Sequence, residues 1–315
     1  MKEPLIILTG PTAVGKTKAS IELAKAVNGE IISADSIQVY KYMDIGSAKI
    51  TPSEMQGIKH YLIDEIEPDE EFNVTIFQQL AQKYMQEIRS KGKLPIIVGG
   101  TGFYIQSVLY DIDFTEHESD NSDYRQNLYE LSTKNGPDYV YNMLKEVDPE
   151  YAETVHANNQ KRVIRALEYY HETGKKMSEH NSEQRVKESP YNFAYFVLND
   201  DRQNLYNRIE LRIDQMINEG LVNEVQNLLN KGYDRNLVSM QGLGYKEIAA
   251  YLFGEISLNE AVYILKRDTR HFAKRQLTWF NREKDIMFFN KQDYNYDETA
   301  ILNSMLKVLR ERNII

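Results

Sequence analysis

The residues with the most chemical meaning lie at the amino terminus. Leu5-Ile6-Ile7-Leu8 runs into Thr9-Gly10-Pro11-Thr12-Ala13-Val14-Gly15-Lys16-Thr17, and a helical pattern through Ile21, Leu23, Ala24 and Val27 follows. An apolar run of strand length, a glycine-bounded turn ending in Gly-Lys-Thr, then a helix: this is the P-loop pattern. Gly10 and Gly15 can take dihedrals closed to other residues, so successive amides converge at a helix N-terminus, where partial positive charge awaits an anion. Gly10, Pro11, Thr12, Ala13, Val14, Gly15, Lys16 and Thr17 are therefore the expected diphosphate-binding residues. Lys16 would reach the outer phosphate, and Thr17 would offer its hydroxyl to a Mg2+ ion bridging phosphate oxygens. The ligand is a di- or triphosphate.

Strand ends must position these groups. Residues 30–36 read as a second strand whose C-terminal end delivers Asp35 and Ser36 to the ligand crevice, as open α/β sheets do. Residues 37–49 are too mixed for a core element. Residues 61–64 look like another strand, 65–71 an acidic solvated loop, and 75–90 a helix with Ile76, Phe77, Leu80, Ala81, Tyr84, Met85 and Ile88 on one stripe. The strand over 93–98 ends in Gly99-Gly100-Thr101-Gly102, where a P-loop hydrolase commonly carries a metal-holding aspartate. Such a glycine turn suits close approach of a ligand, and nucleotide hydrolysis loses support.

The 315 residues are enough for two domains. No apolar run approaches the roughly 18 residues of a spanning helix, and residues 1–4 lead into a core strand rather than a secretion signal, so a cytoplasmic location away from any membrane is expected. The sequence has no cysteine, and its six histidines lack metal-ligand spacing, leaving phosphate-borne Mg2+ as the expected metal. From 114 to 190 strand-like runs vanish. Helices over 123–134, 137–146 and 160–172, the last preceded by Asn158-Asn159 as capping residues, read as a helical insertion. The strand pattern returns at 192–198, and only helices are expected beyond it. One of these, 205–218, carries Arg208 and Arg212 on one face. Residues 242–247 form a glycine-rich turn entering a helix. In the helix over 266–279, Phe272, Ala273, Leu277 and Phe280 would pack inward, with Arg267, Arg270, Lys274 and Arg275 forming a basic ridge. Seven basic side chains between 266 and 284 face two acidic ones, a local +5 in a chain of net charge −9, which points to a polyanion contact. The fold class is α/β: a P-loop parallel-sheet core over 1–113, a helical insertion over 114–190, and core completion with C-terminal helices over 191–315.

Six segments taken together are more specific than the P-loop alone. Residues 10–17, Asp35-Ser36-Ile37-Gln38-Val39-Tyr40-Lys41, Asp44-Ile45-Gly46-Ser47-Ala48-Lys49, Gly99-Gly100-Thr101-Gly102-Phe103-Tyr104-Ile105, Gln160-Lys161-Arg162-Val163-Ile164-Arg165-Ala166-Leu167-Glu168 and the run 269–280 resemble the bacterial tRNA dimethylallyltransferase family over nearly the whole chain. In one departure Tyr42-Met43 stands where relatives often carry Gly-Leu, and little consequence is expected. The resemblance implies transfer of a dimethylallyl group from dimethylallyl diphosphate to N6 of the adenosine 3′ of the anticodon, with the tRNA anticodon stem-loop as partner to a monomer. It further implies that Asp35, Ser36, Ile37, Gln38 and Thr101 meet the target base. Arg125, Gln160, Lys161, Arg162, Val163 and Ile164 of the insertion, with Met240, Gln241, Gly242, Leu243, Gly244 and Tyr245, would touch the rest of the anticodon loop.

That chemistry suits the residues. An allylic diphosphate ionises readily, so the main task is to hold the departing diphosphate, with Lys16, Thr17 and an arginine, Arg208 or Arg212, as the clamp. The attacking amine becomes acidic as it bonds carbon, and a carboxylate can take its proton at neutral pH. Asp35 is the candidate base. It could instead hold Mg2+ or cap the following turn, Thr101 could merely cap the helix after it, and Lys161, Arg162, Arg165, Arg208 and Arg212 could be surface ion-pair partners. Three other functions compete. A small-molecule kinase using ATP leaves the insertion and the basic ridge unexplained. A transferase acting on free adenine nucleotide would not need an anticodon-holding insertion. A noncatalytic GTPase-like RNA binder lacks the Asn-Lys-x-Asp base-reading motif.

Overall fold

A computed structural model describes residues 2–114 and 122–315; residues 115–121 of the expected insertion lie outside it. Six strands are present among the described residues: β1 (Glu3–Thr9), β2 (Gly29–Ala34), β3 (His60–Tyr61), β4 (Leu94–Gly99), β5 (Tyr191–Asn199) and β6 (Ile286–Asn290). They pair in the order β3-β2-β4-β1-β5-β6, and every pairing is parallel. Strands covered on both faces read as unbroken apolar runs. Leu5, Ile6, Ile7 and Leu8 of β1 are accordingly fully buried, as are Ala194 to Val197 of β5.

Two strands differ from the sequence-based reading. Pairing on β3 stops at Tyr61 rather than running to 64, because Leu62 and Asp64 take left-handed backbone conformations, φ 62° and 56°. β6 is a strand where only helices are expected. It lies at the sheet edge with Phe289 as its one buried residue, so its apolar run is short and half exposed. Tyr42 also proves to have a structural consequence. It sits at φ 64° with Lys231 3.9 Å from its ring centroid, a backbone position that glycine fills without strain and tyrosine does not.

The residues divide into two compact units, 1–109 with 190–315, and 110–189. The second is the insertion, starting four residues earlier than the sequence-based boundary. Its helices Ser122–Asn135, Pro137–Val147, Pro149–Thr154, Gln160–Thr173 and Met177–Val186 enclose a core that includes Leu128, Val140, Leu144, Val163, Ile164 and Leu167. Asn159 occupies the N-cap of its helix, yet its side chain makes no capping bond there. Asp148 does more: 1% exposed, it accepts from Tyr151 N on Oδ1 (3.0 Å) and from Ser178 N on Oδ2 (2.9 Å), tying two helix starts together. Removing it leaves two amides without their acceptor, a cost of about 2 kcal/mol. Asp148→Ala is expected to speed amide exchange across 137–186 and leave β1 and β5 unchanged; equal protection in the two proteins would refute this.

Candidate active site

The P-loop geometry follows from what its glycines touch. Gly10 follows β1 at φ 149°, and a Cβ there would stand 2.2 Å from the Leu198 carbonyl oxygen of β5. Gly15, at φ 100°, is the N-cap of the helix Lys16–Val27. Lys16 Nζ donates to the carbonyls of Gly10 (3.0 Å) and Pro11 (2.9 Å), folding back across the loop. Thr17 is exposed on the first helical turn. The Thr12 amide is already engaged: it donates to Gln276 Oε1 at 2.9 Å, and Gln276 Nε2 donates to the Gly100 carbonyl at 3.0 Å. One buried glutamine therefore clips the P-loop to the turn after β4.

Cations crowd this loop. Arg208 Nη1 donates to the Val14 carbonyl at 3.2 Å and reaches Asp200 Oδ2 only at 3.5 Å. Lys291, 5% exposed, brings its Nζ to 3.0 Å from the position of a Cβ on Gly15. Burial, then repulsion by Arg212, depresses the Lys16 pKa to about 8 against the opposing pull of Asp35. Arg212 is lowered by burial and by Arg208, with Glu54 opposing. Lys291 is lowered by burial and Arg208, with Asp200 opposing. As for an ion-pair role for the arginines, Glu210 is bonded to Arg270 at 2.6 Å instead.

A cleft of about 100 Å³ opens from the loop. Lys16, Thr17 and Arg212 line one part of it, and Ile31, Ile50, Ile63 and Val98 give it apolar walls. Asp35 and Gln38 line it too. Asp35 Oδ1 accepts from Ile37 N (2.9 Å) and Gln38 N (3.3 Å), so it does cap the turn, but both bonds fall on one oxygen. Gln38 Nε2 donates to the carbonyls of Ser47 (3.1 Å) and Ala48 (3.3 Å). Ser36 and Ile37 are half-buried beside it. The carbonyl of Thr101 accepts from Tyr104 N and Ile105 N, so the residue does start its helix. The neighbouring glycines let the protein's own atoms approach closely, and Gly99 also lines the cleft. A Cβ would stand 2.2 Å from the Ala34 carbonyl oxygen at Gly99, 2.2 Å from Gln276 Nε2 at Gly100, and 2.3 Å from Trp279 Cδ1 at Gly102.

Several residues implied as tRNA contacts are core instead. Met240 and Tyr245 are fully buried and Gly244 is covered, leaving exposed Gln241 and half-buried Gly242 and Leu243 at that surface. In the insertion Val163 and Ile164 are core, whereas Lys161 and Arg162 are exposed. Gln160 Nε2 caps the Ala157 carbonyl at 2.6 Å, and Arg125 binds Glu168 through two bonds, 2.8 and 2.7 Å. The basic ridge lies on the helix Leu258–Phe280. There Phe272 and Leu277 are only half-buried, and Gln276 faces inward with Ala273 and Phe280. Arg267 pairs with Asp268 and Arg270 with Glu210, so Lys274 and Arg275 are the exposed ridge cations without a carboxylate partner among the described residues. Gln276 and Lys291 are site residues that sequence reasoning missed. A polar side chain on the apolar stripe of Ala273 and Phe280 was the available signal for Gln276; Lys291 follows a strand that was itself not foreseen.

These features define an α/β protein with a P-loop-type core, whose Lys16 and Thr17 share a cleft with the Asp35 carboxylate and with polar and branched aliphatic side chains. The sequence pattern described as IPP transferase matches residues 38–283. Curated relatives named tRNA dimethylallyltransferase include those of Lachnoclostridium phytofermentans, 64% identical with 99% of each chain covered, and Acetivibrio thermocellus, 53% identical with 95% of each covered. A crystal structure of the tRNA isopentenylpyrophosphate transferase of Bacillus halodurans, 43% identical, superposes with a TM-score of 0.74 over 99% of this chain and 98% of that one. A eukaryotic dimethylallyltransferase acting on tRNA, 30% identical, superposes with a TM-score of 0.83 over 98% of this chain and 78% of its own. The chain belongs to the tRNA dimethylallyltransferase family.

The Lys16 pKa carries a testable sign. An anion raises the pKa of a bound lysine, so binding takes up a proton wherever the free amine is neutral. The affinity for inorganic diphosphate at fixed Mg2+ should hold below pH 8 and then fall, by up to about tenfold per pH unit, above it. Calorimetry across pH 7 to 10 checks this, and Lys16→Met should flatten the profile.

Proposed function

We propose that the chain transfers the dimethylallyl group of dimethylallyl diphosphate to N6 of the adenosine 3′ of the anticodon in tRNA and releases diphosphate. The observation that carries this is the cleft itself: Lys16, Thr17 and Arg212, the Asp35 carboxylate, and branched aliphatic walls share one space. A prenyl diphosphate calls for the cations and the aliphatic walls, and its amine acceptor for the carboxylate. A phosphoryl acceptor does not need the aliphatic walls.

The P-loop amides, Lys16, Arg208 and Arg212 bind the diphosphate and stabilise its growing charge as the bond from C1 to oxygen breaks. Ile31, Ile50, Ile63 and Val98 cover the allylic carbons and exclude water from the developing cation. N6 bonds C1, and its proton passes to Asp35. Oδ1 is held by the Ile37 and Gln38 amides, which fixes the carboxylate and directs Oδ2 to the task. Among the described residues no group of three carboxylates or imidazoles could hold a metal by itself. Thr17 Oγ1, together with the phosphate oxygens, fits Mg2+, which when bound would neutralise leaving-group charge. Lys161 and Arg162 of the insertion and Lys274 and Arg275 of the core are the exposed cations for the tRNA backbone.

Labelled dimethylallyl diphosphate offered with tRNA, AMP, or ATP plus adenosine discriminates among the readings; tRNA should take the label. Label in AMP would assign the free-nucleotide reaction, and phosphorylated adenosine the kinase. Asp35→Asn keeps an oxygen for the Ile37 and Gln38 amides and removes the base. Transfer should fall at least a hundredfold with diphosphate affinity within twofold. A loss under tenfold would confine Asp35 to capping.

A further inference from the structure

The segment that roofs the cleft is held by a side chain to which no role has been attached. Ser47, Ala48 and Ile50 line the cleft and lie in irregular backbone between β2 and β3, where no ladder fixes them. Glu224, on the helix Leu221–Asn230, supplies the fixing. Its Oε2 accepts from Asp44 N (2.9 Å) and Ile45 N (2.7 Å), and its Oε1 from Gly46 N (3.0 Å) and Tyr245 Oη (2.8 Å). Three successive amides around a carboxylate form an anion nest occupied by the protein's own anion. Such charge-assisted bonds are about twice as strong as neutral ones. Gly46 is part of the device: a Cβ on it would stand 2.6 Å from Tyr245 Cζ, so the loop seats flat against that ring.

We propose that Glu224 is a positioning residue for prenyl transfer, acting through the loop 44–48 on Gln38 and on the roof of the cleft. The coupling runs through the Ser47 and Ala48 carbonyls, which receive the Gln38 carboxamide one and two residues beyond the nest. Gln38 in turn lines the cleft together with Asp35. No hydrogen bond from Glu224 reaches the P-loop, so the diphosphate site and the acceptor side of the cleft should respond differently when it is changed. The proposal rests on the transfer reaction described above.

Glu224→Gln is the informative substitution, because the nest has no place for an NH2 group. Turned toward Oε1 it deprives the Gly46 amide of its acceptor, and turned toward Oε2 it deprives both Asp44 and Ile45. In that variant kcat/KM for tRNA should fall at least tenfold, with dimethylallyl diphosphate affinity within twofold. Amide exchange at 44–48 should rise while that of 10–17 stays. Glu224→Asp, which keeps the charge on a shorter arm, should recover part of both losses, and Tyr245→Phe, which removes one donor, should lose less than Glu224→Gln. If Glu224→Gln does not fold, the Asp and Phe variants are read against the parent in the same way. Unchanged kcat/KM in variants whose loop exchanges faster would overturn the positioning role, as would unchanged exchange. Should the parent itself leave tRNA unlabelled, the transfer reading fails, and the exchange data still decide whether Glu224 fixes the loop.

Discussion

Like charge held together without its counter-charge is the constraint on which this site depends. Lys16, Arg208, Arg212 and Lys291 surround one turn of backbone amides, and the acids near them, Asp35, Asp200 and Glu54, offset that charge only partly. The arrangement persists because covalent and packing constraints hold the four cations from three different elements. Lys16 comes from the helix after β1, the two arginines from the helix Arg202–Glu219, and Lys291 from the turn after β6. In the proposed reaction a bound diphosphate would supply what the protein withholds, and its affinity would then be linked to protonation of Lys16.

The parallel sheet makes that convergence possible. β1 lies between β4 and β5, so the P-loop has the glycine turn on one side and the Asp200 corner on the other. Gly99 lets β4 end flush with Ala34, and Asp35 thereby comes to share a cleft with Lys16 although β4 separates their strands. The helix Leu258–Phe280 then locks the arrangement through Gln276, whose carboxamide binds the P-loop and the glycine turn at once. A glutamine at this place can donate to one loop and accept from the other; a carboxylate or an aliphatic side chain could not.

Much of this was legible in the sequence because it is local. The P-loop, β1, β2, β4, β5 and three helices of the insertion, read over 123–134, 137–146 and 160–172, each carry their own pattern, and Asp35 was readable as a strand-end residue; the shorter helices Pro149–Thr154 and Met177–Val186 were not foreseen. What was not legible depends on distant partners. β3 ends early because of backbone at Leu62 and Asp64, and β6 is an edge strand whose half-exposed run gives a weak pattern. The glycine turn after β4 was legible, but the side chains packed on Gly100 and Gly102, Gln276 and Trp279, lie more than 170 residues away in the chain. Resemblance also groups residues by motif without separating reader from scaffold. Met240, Tyr245, Val163 and Ile164 share motifs with exposed Gln241, Lys161 and Arg162, yet they are core.

The place of β5 beside β1 has a consequence for how the chain is made. Every residue of β1 from Glu3 to Thr9 pairs with a residue of β5 between Tyr191 and Val197. During synthesis at about 5 to 20 residues per second, an apolar strand therefore leaves the ribosome on the order of 10 to 40 s before its neighbour exists. Over that interval one edge of the nascent sheet is a template for wrong partners. The insertion, whose contacts are local, can fold meanwhile. The edge of β1 that β5 will cover thus stays open while both the remaining core residues up to 109 and the helical unit 110–189 are made, and each of these segments lengthens the wait.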